Sequence, residues 1–203
     1  MSIDVVIFDM GKVIFDYDLL KFVSAFSKKA SKKGEDIKKL IFEYGDWAVS
    51  LETGKISPRE FYESLAQSTG YGGSYNEFST IWNDNFTPIP NTIEILAKIA
   101  KKYRLAMLSN TNELHFEYLK SMYPQIFLLF SDLHLSYLMR ARKPENQIYE
   151  EVIKYYGVPA QNLFFTDDMQ INVDGAQKCG IKAYRFMTPA NLAADLKKEN
   201  IEI

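Results

Sequence analysis

Val5-Val6-Ile7-Phe8-Asp9-Met10-Gly11-Lys12-Val13 sets four apolar residues against an acid, with a glycine two places further on. A short apolar run that ends in a polar residue suits a strand buried on both faces of a parallel sheet. The signature returns at Leu105-Ala106-Met107-Leu108 before Ser109, and at Leu163-Phe164-Phe165 before Thr166-Asp167-Asp168. Ile126 to Phe130, stopping at Ser131-Asp132, reads as a fourth strand, and Ala183-Tyr184-Arg185-Phe186 as a fifth. Helical patterns separate them. Asn91 is placed to cap a helix carrying Ile93, Leu96, Ala97 and Ala100 on one face. Pro144 opens another, with Ile148, Val152 and Tyr155 inward and Gly157 at its end. A further helix follows Asp168 and stops near Gly180. Strands alternating with helices specify an α/β domain with a parallel sheet.

Residues 17–88 break that rhythm. Leu19 to Val23, Ile37 to Phe42, Pro58 to Ala66 and Tyr75 to Asn85 all read as amphipathic helices, with no buried strand among them, and Pro88 and Pro90 mark the exit. An all-helical insertion after the first strand is expected to act as a lid. The chain therefore divides into a core of residues 1–16 plus 89–203 and a cap of residues 17–88. The lysines between Lys28 and Lys39 read as a solvated helix end and loop, with Glu35 and Asp36 as local counter-charges.

Composition narrows the function classes. With 203 residues, 47% hydrophobic and 25% charged, the chain has the make-up of a globular protein and not of a disordered one. A formal net charge of −2 provides no global cationic field for nucleic acid. One cysteine, Cys179, and two histidines leave little for a disulfide or a Cys/His zinc site. The first residues lack a basic and then apolar signal-peptide pattern, and no apolar run approaches the roughly 20 residues that span a bilayer. A cytoplasmic protein without a membrane partner is expected, and nothing in the sequence demands more than a monomer.

In open parallel sheets, ligands bind at the carboxyl ends of the strands, beside the point where strand order reverses. Asp9, Ser109 and the Asp167-Asp168 pair all fall at such ends. Carboxylates brought together there repel and raise one another's pKa, which a hard divalent cation relieves; Mg²⁺ suits one or two carboxylates plus phosphate and water.

At these positions the chain resembles the haloacid dehalogenase superfamily, in its branch with a helical cap. Val5 to Val13 looks like the nucleophile loop, Leu108-Ser109-Asn110-Thr111-Asn112 like the second motif, Arg142-Lys143-Pro144 with Ile148-Tyr149 like the lysine motif, and Phe164 to Asp168 with Asn172 and Gly175-Ala176 like the acidic fourth motif. Glu52-Thr53-Gly54-Lys55-Ile56-Ser57 and Phe61 resemble the helical cap. The resemblance implies a Rossmann-like doubly wound parallel sheet with an inserted all-helical cap, and a Mg²⁺-dependent phosphatase acting on a small phosphorylated metabolite, for which a sugar phosphate is one option. It implies Asp9 as the nucleophile that becomes an aspartyl-phosphate. It places Asp9, the Gly11 carbonyl and Asp168 around Mg²⁺, with Asp167 acting through water or from behind. Ser109, the Asn110 backbone N–H and Lys143 are implied as phosphate binders.

One position departs from the family. Most of its phosphatases carry a second Asp two residues after the nucleophile, as acid for the leaving group; here that place is Gly11. The glucose-1-phosphate phosphatase-like branch also has Gly there, and the chain is similar to it in Asp9-x-Gly11-x-Val13, Asp16-x-Asp18 and the Ser109 to Asn112 run. The dehalogenases lack the second Asp too, so a hydrolytic 2-haloacid dehalogenase and a catalytically degenerate phosphate-binding protein are the alternatives. Asp16 and Asp18, seven and nine positions after Asp9, read as turn or hinge residues in preference to surrogate acids. Without an acid the rate is expected to fall steeply as leaving-group pKa rises. Tyr17, Tyr44, Trp47 and Glu52 are the candidates for substrate contact from the cap.

Overall fold

The structure, a computed structural model, describes residues 2–42 and 46–203. Tyr44 lies outside the described residues. Five parallel strands form the central sheet: β1 (Val5–Phe8), β4 (Arg104–Ser109), β5 (Asp132–Leu135), β6 (Leu163–Asp167) and β7 (Lys182–Arg185), in the order β5-β4-β1-β6-β7. Two three-residue strands, β2 (Phe15–Tyr17) and β3 (Phe86–Pro88), pair antiparallel beside it.

The apolar runs are buried on both faces, as expected of parallel strands. Val6, Phe8, Leu105, Met107 and Phe164 enter one core, packed under the helices Pro90–Ile99, Glu113–Met122 and Pro189–Lys198. Their neighbours Val5, Ile7, Ala106, Leu108, Leu163 and Phe165 enter the other, under Asn146–Tyr156 and Gln170–Lys178. Alternate residues supplying opposite cores is the two-residue period of a strand, hidden in the sequence because both faces are apolar. The chain order runs from β1 outward through β4 and β5, then back across to β6 and β7. The reversal lies between β1 and β6, which ends in Asp167.

The fourth strand lies elsewhere than the sequence suggests. Ile126 to Phe130 is not extended: Pro124–Phe127 is a short helix, and Ile126, Phe127 and Phe130 pack into the core with Phe116 and Leu119. The strand is the more polar Asp132–Leu135. Its buried Asp132 accepts from Arg104 Nε at 2.7 Å and Nη2 at 2.8 Å, and from the hydroxyls of Tyr155 at 2.8 Å and Tyr156 at 3.1 Å. His134 Nε2 lies 3.0 Å from the Tyr156 hydroxyl. An edge strand with its polar side chains satisfied in this way needs no apolar run. Tyr155 is consequently 59% exposed instead of inward, and Tyr149 fills the inward place. The helix before β4 starts at Pro90 with Ile89 as its cap, two residues before the expected Asn91. Its buried face is Thr92, Ile95, Leu96 and Ile99, which hides more apolar area than Ala97 and Ala100 would.

Between β2 and β3 lie the helices Leu19–Ser27, Gly34–Phe42, Trp47–Glu52, Pro58–Thr69 and Tyr75–Asn83. They close on their own core of Phe22, Phe26, Ile37, Ile41, Leu51, Phe61, Leu65, Phe78 and Trp82. Ser57 with Glu60, and Ser74 with Glu77, form reciprocal capping boxes. The short helix Trp47–Glu52 and the strands β2 and β3 carry too few residues to display a period, and the sequence does not reveal them. Lys28, Lys29, Lys32 and Lys33 are exposed, as read. Among the described residues no helix is long and apolar enough to cross a membrane.

Helix Gln170–Lys178 approaches the segment after Lys143 closely at one point. A Cβ on Gly175 would stand 2.9 Å from Tyr149 Cε2 and 3.0 Å from the Pro144 carbonyl oxygen. Gly175→Ala is therefore expected to destabilise the protein by about 1–3 kcal/mol, the usual cost of overpacking. A urea denaturation midpoint unchanged from wild type would show that the helix pair has slack there.

Candidate active site

Three strand ends and one loop meet at the carboxyl edge of the sheet. Asp9 follows β1 directly; its N–H donates to the Thr166 carbonyl of β6 at 3.0 Å, so its position is fixed by the neighbouring strand. The chain then folds back on itself, Ile14 and Phe15 both donating to the Met10 carbonyl. Ser109 closes β4 and is 1% exposed. Asp167 closes β6, and Asp168 follows half-buried.

Lys143 arrives from the loop before Asn146–Tyr156. Its side chain is 1% exposed, and the ammonium donates to Asp9 Oδ1 at 2.7 Å, to Asp167 Oδ2 at 2.5 Å and to the Leu108 carbonyl at 2.9 Å, which uses all three protons. The loop is pinned by Asn110, whose side-chain amide donates to the Lys143 carbonyl and accepts from the Lys143 N–H, both at 2.9 Å. Asp167 is fully buried. Beyond Lys143 it accepts from Met169 N–H at 2.8 Å and from Asn172 Nδ2 at 3.0 and 3.1 Å. Asn172 is in turn held by Tyr149, whose hydroxyl donates to the Asn172 carbonyl at 2.8 Å.

The charges are unbalanced. Asp9, Asp167 and Asp168 offer oxygens that all lie within 4.8 Å of one another, against one ammonium. Burial, with Asp167 adding to it, lifts the Asp9 carboxyl to about 7 although Lys143 pulls the other way. Burial and then Asp167 also raise Asp168. Burial disfavours the charged form of Lys143, but Asp167 and Asp9 outweigh it and hold the ammonium above its ordinary value. A hard cation fits this donor set, since it would supply the missing charge to oxygens that have no second ammonium.

Asp9, Gly11, Ser109, Asn110, Lys143 and Asp168 line one cleft of about 200 Å³; Asp167 stands behind them. Of the cap candidates, Tyr17 and Glu52 line it and Trp47 does not. Asp18 caps helix Leu19–Ser27 by accepting from Leu20 and Lys21 N–H, and Asp16 pairs with Lys12, so neither lines the cleft.

Arg142 of the lysine motif also lines the cleft, as do Trp82, Asn85 and His115, which no sequence motif marks and which meet only in three dimensions. Arg142 faces Glu52 of the helical insertion at 3.0 Å, and Arg140 donates to the Gly54 carbonyl at 2.8 Å. His115 stacks on Trp82, with ring centroids 5.0 Å apart. Its Nε2 lies 3.1 Å from the Trp82 carbonyl and must donate. Its Nδ1 faces the Asn112 amide nitrogen at 3.1 Å and must accept, because Asn112 Oδ1 is occupied capping the His115 N–H. The ring is thus locked neutral, and burial lowers it to about 4.

Two expectations follow. In the pH range between an ordinary His value near 6.5 and about 4, the unfolded chain binds a proton at His115 that the folded chain refuses, so stability falls as pH falls through that window. His115→Gln should remove that part of the loss, roughly 2–3 kcal/mol of the wild-type decline between pH 7 and 4.5 in urea unfolding; equal declines would exclude the locked tautomer. Lys143→Met, assayed without metal, strands two buried carboxylates and should cost about 3 kcal/mol or more by the same measurement. An unchanged midpoint would mean Lys143 is not their counter-charge.

A family profile for haloacid dehalogenase-like hydrolases matches residues 3–180. A D-ribitol-5-phosphate phosphatase of Bacteroides thetaiotaomicron is 27% identical over 202 residues, covering 96% of this chain and 95% of its own. A sesquiterpene phosphatase of Aspergillus oryzae is 27% identical over 179 residues, covering 86% and 85%. The crystal structure of a haloacid dehalogenase family enzyme from Bacteroides thetaiotaomicron, in complex with magnesium and inorganic phosphate, superposes with a TM-score of 0.83 at 27% identity over 92% of this chain and 95% of that one. With the profile spanning most of its length, the chain belongs to the haloacid dehalogenase-like hydrolases.

Proposed function

We propose that this hydrolase is a Mg²⁺-dependent phosphomonoesterase acting on a small phosphorylated metabolite, with sugar and sugar-alcohol phosphates as the favoured class. The observation that carries the reading is the convergence of Asp9, Lys143, Asp167 and Asp168 at the end of the sheet. The cleft, about 200 Å³, is smaller than the roughly 300–1,000 Å³ of drug-sized sites, which suits a compact substrate. The relative named for ribitol 5-phosphate supports the class.

In this reading Asp9 attacks phosphorus and takes up the phosphoryl group as an aspartyl-phosphate, which water then cleaves. Lys143 holds one Asp9 oxygen at 2.7 Å and so orients the carboxylate, while its charge and the Ser109 hydroxyl and Asn110 N–H meet the phosphate oxygens. Asn110 contributes its backbone, because its side chain is committed to Lys143. Asp9, the Gly11 carbonyl and Asp168 would hold Mg²⁺, with Asp167 supporting from behind. Bound there, the ion supplies positive charge that offsets that of the carboxylates and the phosphate. Residues 17–88 serve as a cap on the core of residues 1–16 plus 89–203, hinged near Asp16-Tyr17 and Pro88-Pro90; the separate core of the insertion and its contacts through Glu52 and Trp82 support this. Closure over substrate would exclude water from the reacting group.

Asp9→Asn keeps the size of the side chain and removes its charge. It is expected to reduce hydrolysis of 4-nitrophenyl phosphate by at least about 10³-fold without loss of fold by circular dichroism. EDTA should abolish the wild-type activity and Mg²⁺ restore it. Retention of activity within tenfold in the variant, or full activity in EDTA, would overturn the reading.

A further inference from the structure

Gly11 stands where most of the family's phosphatases have an acid, yet its backbone is not in the left-handed region that only glycine tolerates well. Space is what constrains it. A Cβ on Gly11 would lie 3.3 Å from Tyr17 Cε1 and 3.8 Å from Cδ1, with nothing else within 4 Å. The place of the missing side chain is covered by the ring of Tyr17, which reaches back from the end of β2.

That ring is held on several sides. The Lys12 ammonium sits 4.6 Å from its centroid, donates to the Tyr17 carbonyl at 2.7 Å and pairs with Asp16. Phe86, the cross-strand partner of Tyr17 in β3, lies 6.0 Å away, centroid to centroid. The ring nevertheless borders the cleft and is 41% exposed. Its hydroxyl is not committed to any hydrogen bond among the described residues, and the acids whose charge reaches it are Asp168, Asp9, Glu52 and Asp16. Burial first, and then those four carboxylates, keep the phenol protonated. The other acid lining the cleft from the cap, Glu52, faces Arg142.

We propose that the Tyr17 hydroxyl donates a hydrogen bond to the leaving-group oxygen, taking over part of the work that Gly11 has no side chain to do. The inference rests on the phosphomonoesterase reading and adds a residue to it. As an Asp9 oxygen bonds to phosphorus, the bond from phosphorus to the leaving-group oxygen breaks and its electron pair stays on that oxygen. Tyr17 stabilises the charge through its O–H and keeps its proton; the departing alkoxide or phenoxide takes one from water. A donor that does not titrate gives less than full acid catalysis, about tenfold for one ordinary hydrogen bond against the 10²–10⁴ typical of a positioned acid.

The test is kcat/KM, which reports the phosphorylation step, for a series of aryl phosphates running from 4-nitrophenyl to 4-methoxyphenyl phosphate with Mg²⁺. Tyr17→Phe keeps the ring over Gly11 and deletes only the hydroxyl. The expected loss is about tenfold for 4-methoxyphenyl phosphate and no more than about threefold for 4-nitrophenyl phosphate, so that dependence on leaving-group pKa steepens. A merely structural role would lower both ends equally. Equal loss across the series, or none, would overturn the assignment and leave the phosphomonoesterase reading standing. If the wild type hydrolysed no member of the series, both would fall together.

Discussion

A lysine ammonium buried between two carboxylates is the interaction on which the site depends. Moving Lys143 and its partners out of water is costly, and the attraction between them offsets that cost only if the geometry holds and the remaining donors and acceptors are satisfied. The chain meets that condition with groups drawn from four places. Leu108 at the end of β4 accepts the third ammonium proton, Asn110 clasps the Lys143 backbone, and Asn172 and Met169 N–H occupy Asp167. Asp9, by contrast, receives one ammonium bond on Oδ1, which suits the nucleophilic role proposed for it. The packing of Gly175 against Pro144 and Tyr149 keeps the lysine loop against the helix that follows β6.

The helical insertion adds a second layer. It closes on its own aromatic core and meets the sheet domain through Glu52 with Arg142, the Gly54 carbonyl with Arg140, Trp82 stacked on His115, and Leu114 packed against that core. On that seam Arg142 precedes Lys143 in the chain and His115 bonds the Asn112 side chain, so the insertion's contacts adjoin the candidate site. Tyr17, at the foot of the insertion, is the aromatic side chain nearest Gly11.

Much of this was legible because chemistry at a sheet edge leaves a local trace. An apolar run buried on both faces must end where polar residues begin, and three of the five sheet strands, with Asp9, Ser109 and the Asp167-Asp168 pair, follow that rule. The fourth strand did not, because Asp132 and His134 are satisfied by Arg104, Tyr155 and Tyr156, partners 22 to 28 residues away that no local window contains. The cleft-lining Trp82 and His115 were hidden for a similar reason: they belong to different helices, and nothing in their spacing announces that they meet. Gly11 was visible as an omission. Only the fold shows that Tyr17, and neither Asp16 nor Asp18, stands beside it.

In the proposed reaction Asp9 itself carries the phosphoryl group. This is tested most directly by acid-quenching the enzyme during turnover of 4-nitrophenyl phosphate with Mg²⁺ and mapping the modified peptide by mass spectrometry. The expected result is a phosphoryl adduct on Asp9 that forms and decays at rates compatible with turnover. A first turnover that releases product while Asp9 remains unmodified throughout would contradict it.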